Sequence, residues 1–224
     1  MKIGLLLIAT GKYDIFIEPL IESIEKHFFK NHNVCIFLFT DSDKEYDYTN
    51  TKIIYKEHKP FPYPTLERYK TFSKSSELFD DCDYLFYCDI DMLFVDDVDT
   101  EILSERVATI HPGFLGKRGT PETRKESLAY VSPKEKLVYY AGGFNGGTRN
   151  EFLKMSKHLS ENIQKDLDKN IIAIWHDESH MNRYFLDNPP TKVLTPSYCY
   201  PESWKLPFKK KLLALDKNHN EIRN

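Results

Sequence analysis

The chain has no C-x-x-C pair, no internal repeat, no low-complexity tract and no apolar run of membrane-spanning length. Each absence removes a class of protein. Its four cysteines, Cys35, Cys82, Cys88 and Cys199, lack the spacing of a zinc ribbon or a thioredoxin-type site. Three of them fall in apolar runs, as reduced and buried thiols do, so a cytoplasmic setting is expected. The N-terminal apolar run at 3–9 is far shorter than the ~20 residues of a spanning helix, and no small-residue cleavage site follows it. A soluble chain without a transmembrane segment or signal peptide is expected. Its 31 Lys and Arg against 34 Asp and Glu give a net charge of -3 with both signs scattered, which excludes a dedicated nucleic-acid surface.

What is there is α/β patterning. At 224 residues one proper core can be buried, and a single domain over 1–224 is expected. Residues 2–10 form a continuous apolar run ended by Gly11, the pattern of a strand covered on both faces. Asp14 is placed to cap the following helix, where Phe16, Leu20, Ile24 and Phe28 recur every four residues and give one apolar face. Strands are expected at 34–39 and 52–55. The proline-broken stretch 60–64 leads into a helix over 65–79, followed by a strand over 83–88. Further expectations are a mobile polar loop over 118–133, a strand over 138–144, helices over 149–167 and 176–186, a strand over 212–215 and a polar tail over 216–224. This order specifies a mixed, mostly parallel sheet flanked by helices, which binds ligands beyond the carboxyl ends of its strands.

Asp89-Ile90-Asp91 stands at such an end, between the apolar runs 84–88 and 92–95. Desolvating an ionised carboxylate is costly, so acids placed there are normally paired or bound to a metal. Residues i and i+2 of a strand share a face, which lets both acids meet one hard cation, Mn²⁺ or Mg²⁺, carrying a diphosphate. The other reading is a strand end whose aspartates begin a turn, helped by Asp96, Asp97 and Asp99. The motif by itself weighs the two evenly. Glu178 follows Trp175, His176 and Asp177 at a predicted helix start, where an acid either complements the helix dipole or serves chemistry.

Several motifs occur in a telling order: Ala9-Thr10-Gly11-Lys12-Tyr13, Asp89-Ile90-Asp91, His111-Pro112-Gly113-Phe114, Arg124 with Glu126-Ser127 and Ala129-Tyr130, and Tyr139-Tyr140-Ala141-Gly142-Gly143-Phe144-Asn145-Gly146-Gly147. Trp175-His176-Asp177-Glu178-Ser179-His180, Thr195-Pro196 with Tyr198, and Lys217-Asn218-His219 to Arg223-Asn224 complete it. The ordered set spans essentially the whole chain and resembles the family-6 retaining glycosyltransferases, the family of the blood-group A and B transferases and α-1,3-galactosyltransferase. The chain looks like the bare catalytic domain, as in bacterial or phage members without a membrane anchor.

The resemblance implies a GT-A fold and transfer of α-linked GalNAc or Gal from UDP-GalNAc or UDP-Gal to the 3-hydroxyl of a plain or fucosylated galactoside, with retention at the anomeric carbon. It makes Asp89 and Asp91 the holders of Mn²⁺ (or Mg²⁺) on the UDP diphosphate, with Ile90 between them at the donor. It puts Glu178 on the β-side of the donor C1, as nucleophile or as stabiliser of an oxocarbenium-like transition state, and Asp177 on the donor-sugar hydroxyls. Ala9, Thr10 and Tyr13 take uracil and ribose, and Arg68 lies near metal and donor. Lys217 and Arg223 belong to a tail that closes over UDP. Ala141, Gly142 and Gly143 lie against the donor sugar, and small residues at 141 and 143 leave room for an acetamido group, which favours UDP-GalNAc. His111 and Trp175 contact the acceptor beside Glu178.

The chain departs from the animal members at the acceptor end. Gly119-Thr120-Pro121 replaces Phe-Thr-Tyr, Leu115 replaces an aromatic, and Tyr200-Pro201 replaces Trp-Asp, with Glu202 next as a substitute acceptor contact. Three rival readings stand beside the resemblance. One is a zinc hydrolase built on His176 and His180, one helical turn apart. Another is a phosphatase that places D-x-D after a strand, and the third is a sugar-nucleotide or glycan binding module without turnover.

Overall fold

The structure is a computed structural model describing residues 1–222; of the expected site residues only Arg223 lies outside them. The chain begins with β1 (Lys2–Ala9), a 3₁₀ turn over Gly11–Phe16 and α1 (Ile17–His27). β2 (Asn33–Thr40) and β3 (Thr51–Tyr55) come next, then α2 (Tyr63–Leu66), α3 (Arg68–Lys74), β4 (Tyr84–Cys88) and β5 (Met92–Phe94). β6 (Arg106–Ile110) and β7 (Tyr140–Thr148) precede two longer helices, α4 (Arg149–Leu167) and α5 (His176–Asp187). β8 (Lys192–Leu194), β9 (Tyr200–Pro201), β10 (Leu212–Ala214) and α6 (His219–Ile222) close the described chain.

Seven strands form one sheet in the order β3-β2-β1-β4-β7-β6-β8, and β5-β10-β9 form a second, small sheet. In the large sheet only β7 runs against its two neighbours, so the expected mixed, mostly parallel α/β sheet is the one found, consistent with a GT-A fold. The alternation of strand side chains divides the core. Ile3, Leu5 and Leu7 of β1 pack with Leu20, Ile21 and Ile24 of α1, while Leu6 and Ile8 pack with Tyr69 and Phe72 of α3 and Met181 of α5.

Local differences from the sequence expectation have physical causes. Asp14 does not cap α1: it lies inside the 3₁₀ turn and pairs with Lys44 at 2.7 Å, and the N-cap position is Phe16. The helix expected over 65–79 starts earlier and is broken into α2, α3 and a 3₁₀ turn over Ser76–Phe79. Pro64 is tolerated there because the first turn of a helix needs no N–H from it. The strand expected over 138–144 starts later and runs on to Thr148, because Gly146 and Gly147 let other backbone pass close: a side chain at Gly147 would collide with the Glu105 carbonyl.

The stretch 118–133 contains no long element, yet it is fastened. Ser127 Oγ donates to Asp166 Oδ2 at 2.6 Å, and buried Glu122 accepts from the Thr123, Arg124 and Ile174 N–H groups. The Arg124 guanidinium, burial notwithstanding, holds the Glu122 carboxyl down at about 2. Side-chain anchoring of this kind leaves no periodic trace in sequence.

Candidate functional site

The carboxyl ends of β1 and β4 open into a cleft. Its walls include Thr10 and Tyr13 from the end of β1, Arg68 from α3, Asp89, Ile90 and Asp91 after β4, and Lys217 from the tail. The space inside, open solvent at its mouth included, is about 770 Å³. Seven of the expected donor residues are thus brought to one wall system. Ala9, fully buried as the last residue of β1, offers backbone only.

Asp89 and Asp91 do not sit within a strand. Both occupy the turn between β4 and β5, so the turn reading and the ligand reading describe the same feature, and chain reversal rather than strand periodicity presents the acids. Asp89 Oδ1 accepts from the Tyr87 hydroxyl at 2.5 Å and lies 3.1 Å from Arg68 Nη2. Asp91 is 8 % exposed, its carboxylate paired with Lys217 and its carbonyl accepting from Leu215 N–H at 3.0 Å. The Lys217 ammonium also faces the Tyr13 ring, 5.8 Å from its centroid.

Arg68 ties this wall to α5. Its Nη1 lies 3.2 Å from Asp177 Oδ2 and its guanidinium covers the Tyr87 ring at 4.2 Å. Burial disfavours its charge, but Asp177, Tyr87 and Asp89 outweigh that and hold its pKa above the ordinary value. Asp177 is itself buried, and burial pushes its carboxyl up to about 6 against the opposing pull of Arg68.

Glu178 is held from the other side by a distorted segment of β7. Between Ala108 and Thr109 of β6 the register jumps from Asn145 to Ala141, so Gly142, Gly143 and Phe144 bulge out of the ladder. Gly142 N–H donates to Glu178 Oε2 at 2.8 Å, and Gly143 carbonyl accepts from Asp89 N–H at 2.8 Å. Two buried asparagines clamp the bulge: Asn145 donates to Gly142 carbonyl, and Asn182 bonds both the N–H and the carbonyl of Tyr140. Burial pushes the Glu178 carboxyl up to about 7, although the Gly142 N–H and the Tyr139 hydroxyl both pull it down. A Cβ on Gly143 would stand 3.0 Å from Asp89 Oδ2, so close approach accounts for glycine there. His176, with φ of 51°, stores backbone strain directly before these acids.

The expected acceptor residues lie beyond Glu178. His111 follows β6, its Nδ1 accepting from Gly113 N–H at 3.1 Å, and its ring and that of Phe114 pack on Tyr139. Trp175 Nε1 donates to Thr120 Oγ1 at 2.6 Å. Half-buried Cys199 marks the opposite flank: burial pushes its thiol up to about 12, with Asp89 and Glu178 adding to it. Glu202 is exposed and accepts from Asp216 N–H at 3.0 Å, an attachment for the tail.

Asp89, Asp91, Asp177 and Glu178 outnumber the two cations that meet them, Arg68 and Lys217. That surplus of negative charge suits a divalent cation. Among the described residues no three His, Cys, Asp or Glu gather as a metal cluster. His180 turns into the core, Nε2 lying 3.4 Å from Asp166 Oδ2, while His176 packs on Phe61 of the cleft. The H-x-x-x-H spacing therefore serves two different places. Lining residues that sequence pattern did not point to include Ile8, His58, Lys59, Phe61, Thr65 and Tyr87; those from 58 to 65 flank or belong to the proline-rich stretch 60–64, read only as irregular.

The chain matches glycosyltransferase family 6 over residues 1–224. It is 36 % identical over 238 residues to histo-blood group ABO system transferase 1 of Rattus norvegicus, covering 99 % of this chain and 68 % of that protein. It is 30 % identical to globoside alpha-1,3-N-acetylgalactosaminyltransferase 1 of Gallus gallus, covering all of this chain and 70 % of that protein. The O-antigen biosynthesis glycosyltransferase WbnI of Escherichia coli is 31 % identical, with 97 % of this chain and 95 % of that protein covered. Among the described residues no helix is long and apolar enough to cross a membrane.

Proposed function

The chain belongs to glycosyltransferase family 6, and from that premise we propose that it is a retaining hexosyltransferase moving α-GalNAc from UDP-GalNAc to the 3-hydroxyl of a galactoside. In this reading Thr10 and Tyr13 seat the uridine, and Arg68 and Lys217 face the diphosphate. Asp89 and Asp91 would hold Mn²⁺ or Mg²⁺. The bound cation supplies Lewis-acid stabilisation of the charge that builds on the leaving diphosphate. Arg223 joins Lys217 as a second tail cation and lies outside the described residues. The free thiols suit a cytoplasmic setting.

The observation that carries the reading is the arrangement of Glu178. Its carboxylate is fixed by Gly142 N–H at 2.8 Å, and Arg68 bridges the neighbouring Asp177 to Asp89. A buried carboxylate with a value near 7 is partly ionised at neutral pH and poorly solvated, as a nucleophile or an oxocarbenium stabiliser needs to be. Asp177 takes donor-sugar hydroxyls, and His111 and Trp175 take the acceptor. Ala141 and Gly143 leave space beside the donor sugar, which favours UDP-GalNAc over UDP-Gal.

A transfer and hydrolysis assay with both donors and a panel of plain and fucosylated galactosides, run in Mn²⁺ and in EDTA, tests the proposal. Faster transfer from UDP-GalNAc and arrest by EDTA are expected. Faster transfer from UDP-Gal would refute the donor assignment, and full activity in EDTA would refute the metal.

A further inference from the structure

Leu85, Phe86, Tyr87 and Cys88 are the buried residues of β4, and of these only Tyr87 carries a hydroxyl. Phenylalanine would fill the same space, and a hydroxyl taken out of water costs stability unless it finds a partner. Tyr87, 2 % exposed, finds one by donating to Asp89 Oδ1 at 2.5 Å. The strand sets up this meeting. Asp89 N–H donates to Gly143 carbonyl at 2.8 Å and so carries the pairing of β4 one residue past its end. Residues i and i+2 of extended chain share a face, which brings the hydroxyl and the carboxylate to the same side.

The ring is fixed as firmly as its hydroxyl. Phe72 of α3 packs against it with centroids 5.5 Å apart, and the Arg68 guanidinium covers it at 4.2 Å. Arg68 also reaches Asp89, its Nη2 lying 3.1 Å from the same Oδ1. Two donors therefore converge on one oxygen. Oδ2 is the oxygen on the Gly143 side, 3.0 Å from the point a Cβ there would occupy. Turning the carboxylate about its Cβ–Cγ bond would break both bonds to Oδ1, so Tyr87 and Arg68 together decide which oxygen Asp89 presents. A phenol hydroxyl is neutral, and it does this without adding positive charge beside a cation.

We propose that Tyr87 is a positioning residue for the divalent cation: its hydroxyl holds Oδ1 and turns the Asp89 carboxylate so that Oδ2 is offered to the metal. This rests on the transferase reading above and extends it to a side chain which that reading leaves without a role. Outer partners that orient a metal ligand are worth about 10–100-fold in metal affinity. The loss on removing the hydroxyl should accordingly fall on the cation and spare the nucleotide.

The test titrates Mn²⁺ into the full chain with UDP at saturation and reads free Mn²⁺ by electron paramagnetic resonance, in wild type and in Tyr87→Phe, which keeps the ring and its packing. The Kd for Mn²⁺ should rise about tenfold in the variant, while UDP affinity and melting temperature, both measured in EDTA, stay at their wild-type values. In the transfer assay the apparent KM for Mn²⁺ should rise by the same factor, with kcat changing far less. Equal Mn²⁺ affinity in the two proteins would overturn the proposal and leave the transferase reading standing. A variant that melts well below wild type in EDTA, or binds UDP more weakly there, would overturn it as well, because the hydroxyl would then be a contact of the fold. Wild-type protein that binds no Mn²⁺ beside UDP would defeat the metal reading itself, and the role of Tyr87 with it.

Discussion

The backbone N–H of Gly142 donates to Glu178 Oε2 across 2.8 Å, so a bulged residue of β7 aims the carboxylate that opens α5. Glu178→Gln keeps the shape and can still accept that bond, but it can neither attack C1 nor balance an oxocarbenium charge. Transfer should drop at least about 100-fold, while UDP binding by calorimetry persists. Near-normal turnover would remove Glu178 from the reaction.

The same substitution has a stability signature. The folded value of Glu178, about 7, lies above the 4.5 of an exposed glutamate. Its protonated form therefore stabilises the fold fully below 4.5, and that contribution is lost as pH rises through 7. Glutamine mimics the protonated form at every pH. Urea unfolding should give equal stabilities for wild type and Glu178→Gln at pH 4.5, with the variant ahead by on the order of 1–3 kcal/mol at pH 8. Activity runs the other way, because wild-type kcat should climb with pH through about 7 as the carboxylate ionises. A variant less stable than wild type at pH 8 would contradict the burial argument.

Arg68 is 8 % exposed and meets Asp89 and Asp177 at once. Arg68→Met removes the cation and leaves Asp177 buried without it, which should lower unfolding stability by about 3–5 kcal/mol. The deficit should shrink as pH falls toward 6, because without the pull of Arg68 the buried Asp177 carboxyl protonates above its wild-type value of about 6. A loss independent of pH would point to packing alone.

Gly143 tests the metal and donor wall together. A methyl group there would press on Asp89 Oδ2 at 3.0 Å and Met92 Sδ at 3.3 Å. Gly143→Ala should weaken UDP binding in Mn²⁺ about tenfold and reduce the preference for UDP-GalNAc over UDP-Gal. Unchanged binding would place Asp89 away from the cation.

The tail is tied in by Lys217 on Asp91 and by Lys12 Nζ donating to Glu221 carbonyl at 3.0 Å. Deleting residues 216–224 removes no fully buried side chain among the described residues, so the melting temperature should hold while kcat/KM falls on the order of 100-fold through lost donor positioning. Unchanged kinetics would make the tail a passive terminus.

Much of this was legible in sequence because the signals were local. The continuous apolar run of β1 and the four-residue spacing on α1 are direct prints of a two-sided core, and α4 covers the expected 149–167. Asp89 and Asp91 stand out as acids between two apolar runs, and Glu178 as an acid at a predicted helix start. What stayed hidden depends on distant partners. β6 and β8 are short and carry no alternation of their own, being strands through pairing with β7 and with each other. The β7 bulge follows from Asn145 and Asn182, whose roles show only once their buried partners are known. Glu202 looked available for an acceptor, yet its carboxylate is engaged by Asp216 N–H.

The central claim is retention in a transfer that Glu178 serves. Proton NMR of the product formed from UDP-GalNAc and a β-galactoside in Mn²⁺ reads it directly: the account predicts a new α-anomeric signal, absent when Glu178→Gln replaces the wild-type protein. A β-anomeric product, or α-product at undiminished rate from Glu178→Gln, would contradict it.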